Sequence, residues 1–146
     1  MATVFVDTAY LVAMLDTRDA LHDRALKLTK DLDANSASLV TNDAVLVEFA
    51  NYFARTPLRR YAIDWVFALR ESQAWQIVPL TSALLMRAET LYRAHRDKTW
   101  SVTDCSIMET MRDRRISQIA TTDRGFKQAG FKILLDGEQR GSPQRR

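Results

Sequence analysis

Four acids interrupt apolar stretches of this chain. Asp7 closes Val4-Phe5-Val6, Glu48 lies within Val45-Leu46-Val47-Glu48-Phe49, Asp104 within Ser101-Val102-Thr103-Asp104-Cys105, and Asp123 within Thr121-Thr122-Asp123-Arg124-Gly125-Phe126. A carboxylate beside buried positions loses hydration unless a cation or hydrogen-bond donors replace it, and several gathered together repel one another. A divalent cation resolves both difficulties. With one cysteine, Cys105, and two histidines, His22 and His95, the chain offers few zinc ligands. Carboxylates suit magnesium or manganese better.

Each acid also has a simpler reading. Asp7 falls where a first strand ends, the position at which open parallel sheets gather their ligands, but it also fits the N-cap of a helix starting near Thr8. Glu48 lies on a helix whose stripe is Val45, Phe49, Tyr52 and Phe53. At about 100° per residue it borders that stripe, turned away from open solvent. Asp104 has Ile107, Met108 and Met111 on its own helix face, and Ser101-Val102-Thr103-Asp104 is also a capping box. Asp123 follows a strand candidate, with Thr121 and Thr122 adding hydroxyls, and it also suits a turn before Gly125. Singly these are weak signals; their joint placement at strand ends and helix starts gives them force. His22 and His95 have no carboxylate in a recognisable pattern, and Cys105 has no neighbouring histidine, so packing roles suit all three.

The elements that would position the acids alternate. Strand candidates are Thr3 to Val6, Ser38 to Thr41, Trp75 to Val78, Ile116 to Thr121 and Phe131 to Leu135. Helices are expected from Tyr10 to Leu15, from Asp19 to Leu32 with Asp19 as cap, around Glu48, from Leu58 to Ser72 after Pro57, from Thr81 to about Arg96, and around Asp104. Leu58, Tyr61, Ala62, Trp65 and Leu69 should share one face. Such alternation predicts an α/β fold with a mostly parallel sheet between helical layers, because parallel neighbours need crossovers.

The 146 residues, 47% of them hydrophobic, suit one domain over 1–136. The stretch 137–146 gains glycine and arginine and is expected to be a mobile basic tail. A basic leader and any apolar run near the roughly 18 residues of a spanning helix are both missing, so a soluble, cytoplasmic protein without membrane contact is expected. Net charge is +3, from 21 basic and 18 acidic residues. With the four acids set aside as one site, the remaining balance is distinctly basic, as suits a polyanionic partner. Gly-rich phosphate loops and nucleophile elbows are absent.

Four pieces in order, Val4-Phe5-Val6-Asp7-Thr8, Thr41 followed by Glu48, Asp97-Lys98-Thr99-Trp100-Ser101-Val102-Thr103-Asp104-Cys105, and Thr121-Thr122-Asp123-Arg124-Gly125-Phe126, resemble the PIN-domain ribonucleases. The resemblance is strongest to the VapC-like toxins of type II toxin–antitoxin pairs and spans nearly all of Thr3 to Leu135. It implies a three-layer α/β/α sandwich whose central, mostly parallel sheet has four or five strands. It further implies a magnesium (or manganese) site and hydrolysis of RNA phosphodiester bonds by an endoribonuclease. By the same resemblance Asp7, Glu48, Asp104 and Asp123 are the catalytic acids around the metal, Thr8 and Thr121 are supporting hydroxyls, and Asp97 is a supporting acid. A homodimer and a cognate antitoxin are also implied, with Tyr52, Phe53, Tyr61 and Trp65 as contacts if exposed and as core if not. Arg93, Arg96, Lys98, Arg112, Arg114 and Arg115 are candidates for the RNA backbone. The alternative is a catalytically inactive PIN-like module that binds RNA or protein. A phospho-acceptor domain fits less well, for want of a lysine directly after the late strand.

Overall fold

The computed structural model describes residues 2–135. Its five strands are β1 (Thr3–Val6), β2 (Ser38–Asn42), β3 (Trp75–Val78), β4 (Gln118–Ala120) and β5 (Lys132–Ile133). They form one sheet in the order β3-β2-β1-β4-β5, with every pairing parallel. Seven helices connect them: α1 (Thr8–Leu15), α2 (His22–Ala34), α3 (Asp43–Tyr52), α4 (Arg59–Glu71), α5 (Ser82–Ala94), α6 (Val102–Arg114) and α7 (Arg124–Gln128).

The strand order explains where a site can form. The chain runs outward from β1 through β2 to β3, then crosses back over the sheet to β4 on the other side of β1. Right-handed crossovers in opposite directions place their helices on opposite faces, which gives the three-layer α/β/α sandwich. Between β1 and β4 the direction of winding reverses, and their carboxyl ends open a crevice there. β1 reads Thr-Val-Phe-Val because it is covered on both faces: Val4, Phe5 and Val6 are fully buried. Phe49, Phe53, Ile107, Met108, Met111, Ile119 and Phe126 complete the centre of the core.

Several local expectations are corrected. Helix α2 starts at His22, three residues after Asp19; the Asp19 carboxylate instead accepts from Leu21 N–H at 2.8 Å in the preceding turn. The strand around Ile119 is only three residues long, and α7 occupies a stretch that carried no helix signal. A five-residue helix is too short for periodicity to show. Tyr52 lies outside the α3 stripe at 58% exposure, while Phe53 is buried. On α4 the inward residues are Ala62 and Val66, and Tyr61 points outward. Trp65 is half-buried and stacks on Phe49 with ring centroids 6.3 Å apart. The expected tail, 137–146, lies outside the described residues.

Candidate active site

The four acids arrive at the β1/β4 crevice on four different elements. Asp7 follows β1 and caps α1, its Oδ1 accepting from Thr8 N–H at 2.7 Å. Its Oδ2 accepts from the Thr121 hydroxyl at 2.8 Å, a bond between groups 114 positions apart that ties the end of β1 to the end of β4. Thr121 also accepts from Asp123 N–H at 3.1 Å, so one hydroxyl positions two of the acids. Asp123 in turn caps α7 through Gly125 N–H at 2.8 Å.

Asp104 stands at the third position of α6 in a complete capping box: Ser101 N–H donates to its Oδ2 at 3.0 Å, and its own N–H donates to Ser101 Oγ at 2.9 Å. Both readings of this acid therefore hold together, since capping engages only one carboxylate oxygen. Glu48 lies in the middle of α3, and the Thr8 hydroxyl donates to its Oε1. Contrary to expectation, Glu48 is exposed; its stem is in solvent, and Thr8 draws its end towards Asp7.

The electrostatics show that the quartet shares one field. Burial pushes the Asp7 carboxyl up from its ordinary 3.8 to about 7; hydrogen bonds from Thr121 and Thr8 oppose this, and repulsion from Asp104 and Glu48 adds to it. Burial also raises Asp104, against its bond from Ser101 N–H, and repulsion from Asp123 and Glu48 pushes the same way. Among the described residues none of the four forms an ion pair. Asp97 stands apart, with a side chain 73% exposed and 3.7 Å from Lys98 Nζ.

Beneath the acids lies a polar lock that sequence reading missed. Asn42, fully buried at the end of β2, caps α3 by accepting from Val45 N–H at 3.0 Å. Its amide nitrogen lies 3.3 Å from both Ser106 Oγ and Thr110 Oγ1 on α6. The helix carrying Glu48 is thereby fixed to the helix carrying Asp104. The available signal was Ser106 and Thr110, four apart on an otherwise apolar helix face. A second missed feature is contact between Gly125 and Trp100. A Cβ at position 125 would come within 3.0 Å of both Asp123 Oδ1 and Trp100 Cδ1, so glycine is what lets the indole lie against the acid turn.

The side chains brought together here offer hard oxygens from carboxylates and hydroxyls, and one of the acids, Asp7, is buried. That donor chemistry fits magnesium or manganese. Among the described residues, no three acids, imidazoles or thiols are already drawn into a ready-made metal cage. Asp7, Asp104 and Asp123 are each held at a helix start and Glu48 by the Thr8 hydroxyl, so each acid keeps its own place.

A family model described as the PIN domain matches residues 4–132. The chain belongs to the PIN-domain family. Among solved structures this PIN domain is similar to the VapC20 toxin of Mycobacterium tuberculosis, a Sarcin-Ricin loop cleaving toxin. The identity is 27%, the TM-score is 0.76, and the match covers 88% of this chain and 95% of that one. Two others share the fold: FitAcB from Neisseria gonorrhoeae (16% identity, TM-score 0.61, covering 90% and 96%) and VapBC2 from Rickettsia felis bound to a promoter DNA fragment (11%, 0.66, covering 90% and 96%). A search of curated protein sequences gives no significant match. The expected VapC-like fold is the observed one. Among the described residues of this PIN domain no helix is long and apolar enough to cross a membrane.

The groups set aside at the outset occupy structural positions in the PIN domain. Cys105 is buried, and burial pushes its thiol up to about 11, so it is a poor nucleophile. His22 Nδ1 meets the Ala13 carbonyl at 2.7 Å, and His95 Nδ1 meets the Leu91 carbonyl at 3.1 Å.

Proposed function

We propose that this chain is a divalent-metal-dependent endoribonuclease and the toxin of a toxin–antitoxin pair. The observation that carries the reading is the meeting of Asp7, Glu48, Asp104 and Asp123 at the winding reversal of a PIN fold. Family membership supports the reaction class, and the likeness to a Sarcin-Ricin loop cleaving toxin supports RNA with exposed loops as the substrate class.

In this reading the four acids hold the cation, magnesium or manganese. The chemistry supplied by that cation is Lewis acidity toward the phosphodiester and the water that attacks it. The chain's own part is positioning. Thr121 holds Asp7 and the Asp123 turn in one register, Thr8 holds Glu48 beside Asp7, and Ser101 fixes one oxygen of Asp104 so that the other stays directed by the cap. Burial raises the Asp7 carboxyl in the metal-free chain, and a cation beside it would favour the ionised form that a ligand needs. Asp97 supports the site from its exposed loop.

The same reading gives the protein a cytoplasmic place, a homodimeric state and an antitoxin partner. Val47, Tyr52, Ile63 and Phe67 are large apolar residues left exposed on α3 and α4, beside a cavity of about 430 Å³ lined by Ala50, Asn51, Ala54, Arg59, Arg60 and Ile63. Apolar exposure on that scale suits a protein partner. The outward Tyr52 and Tyr61 belong to this surface; Phe53 belongs to the core.

The test is cleavage. Purified protein is incubated with total RNA in magnesium, in manganese and in chelator, and new ends are mapped. Discrete ends that depend on the cation are expected. Intact RNA in every condition, or cleavage undiminished by chelator, overturns the proposal in favour of an inactive binding module or contaminating nuclease.

A further inference from the structure

One cavity is built unlike the others. It lies where α5 ends and the chain turns into α6, has a volume of about 410 Å³, and is lined by Tyr92, Arg93, His95, Arg96, Lys98 and Trp100, together with Thr99. Three cations and two large aromatic side chains thus share one opening. Arg93 and Arg96 have no carboxylate partner among the described residues, and Lys98 pairs only with the exposed Asp97 at 3.7 Å. Several arginines elsewhere are committed, Arg70 to Asp43, Arg87 to Asp113 and Glu109, and Arg59 to the Ala54 carbonyl; what sets Arg93 and Arg96 apart is that they share one concavity with Lys98 and two aromatic side chains. Unpaired positive charge around a concavity recognises an anion.

Trp100 connects this cavity to the acids in two ways. It immediately precedes Ser101, whose cap positions Asp104, and its indole lies against Gly125, two residues after Asp123. His95 covers it at a centroid distance of 4.9 Å. Trp100 is only 7% exposed, and its Nε1–H has no acceptor among the described residues. A buried donor left unmet is costly, and this one is packed against the Gly125 turn. Tyr92, 49% exposed, offers a ring face at the rim.

We propose that this cavity is a subsite for one nucleotide of a single-stranded RNA segment, next to the bond presented to the acids. Arg93, Arg96 and Lys98 hold its phosphates, and Tyr92 stacks its base. The inference rests on the ribonuclease reading for the identity of the polymer. A base must leave its helix to stack on a side chain, so the subsite itself takes an unpaired nucleotide.

The experiment measures fluorescence anisotropy of a labelled 12-nucleotide single-stranded RNA, and of its duplex, with the full-length protein in chelator so that cutting does not intrude. Arg93→Gln/Arg96→Gln is compared with Arg18→Gln/Arg55→Gln, which removes the same charge from exposed positions after α1 and α3. The cavity pair should lose at least about tenfold in affinity and flatten the salt dependence by about 1.4 in log–log slope, the value for two phosphate contacts on a single strand. The distal pair should change little. Tyr92→Leu should weaken binding several-fold without altering the salt slope, and Tyr92→Phe should restore it. Melting temperatures of all variants are recorded to exclude misfolding. Equal losses from both arginine pairs, no effect of Tyr92→Leu in a folded protein, equal binding of the duplex, or no binding by the unmodified protein would each overturn the subsite. Cleavage of total RNA in magnesium is read in parallel. If the unmodified protein cleaves and the cavity pair binds normally, the subsite fails and the ribonuclease reading stands. If the cavity pair loses binding while the unmodified protein does not cleave, the ribonuclease reading fails and the subsite stands.

Discussion

At the crevice between β1 and β4 the four acids Asp7, Glu48, Asp104 and Asp123 are each held by a backbone or hydroxyl donor. Around the neighbouring cavity at the end of α5 the charged groups are positive, sit on long side chains and are mostly unpaired. Short, capped carboxylates keep their positions to within hydrogen-bond tolerance, as a cation and a reacting phosphate demand. Long guanidinium arms tolerate a strand of variable shape, as recognition of a flexible polymer demands. Rigidity is concentrated where chemistry would occur and adaptability where binding would.

The sharpest way to break this contrast is at the acids. Asp7→Asn and Asp104→Asn each keep shape and capping capacity while removing charge, and each should lower the cleavage rate on the order of 10³-fold with little effect on RNA affinity. Single-turnover cleavage by folded variants checks this; rates within a few-fold of the unmodified protein would remove the two residues from the reaction.

A second measurement sharpens it through pH. The Asp7 pKa is about 7 in the folded chain against 3.8 ordinarily, so the folded state holds a proton that the unfolded state releases. Below about pH 4 both states are protonated and the contribution is complete. As pH rises from about 4 through 7 the metal-free protein should lose stability, by roughly 2–4 kcal/mol, and then level off. Asp7→Asn should abolish that decline and be the more stable protein at pH 8. Denaturant titrations in chelator at pH 5 and 8 decide it, and a decline shared equally by both proteins would show that Asp7 is not its source.

The smallest of these effects is expected where the two regions touch. Gly125→Ala puts a methyl group within 3.0 Å of Asp123 Oδ1 and Trp100 Cδ1, so both must shift. About 1–2 kcal/mol of stability should be lost, with a tenfold to hundredfold drop in cleavage, because sub-ångström displacement of a reacting group is amplified in rate. Thermal melts and cleavage kinetics together read this. An unchanged rate would mean that the acid turn and the indole are independent of each other.

Much of the positioning was legible along the chain for specific reasons. The Val4-Phe5-Val6-Asp7 run announces a buried strand ending in an acid, and Ser101 to Asp104 announces a helix start, because capping is a local interaction between near neighbours. Glu48 was misjudged in exposure because helical angle fixes its direction on α3 but not what packs around it, and its contact with the Thr8 hydroxyl comes from 40 residues away. Tyr52 and Phe53 were expected in one stripe, but α3 ends between them, and Tyr52 is turned out while Phe53 is buried. The buried Asn42, Ser106 and Thr110 contact depends on two segments 64 and 68 positions apart and left little local trace.

By itself the sequence determined the alternation of strands and helices, the four acids and the caps that hold three of them, since all of these follow from periodicity and from interactions within a few residues. Only the tertiary structure decided that winding reverses between β1 and β4, that Thr121 reaches Asp7, and that Trp100 joins an acid turn to a basic cavity. Those facts depend on which distant surfaces bury each other, and burial is settled by the packing of the whole core rather than by any stretch of it.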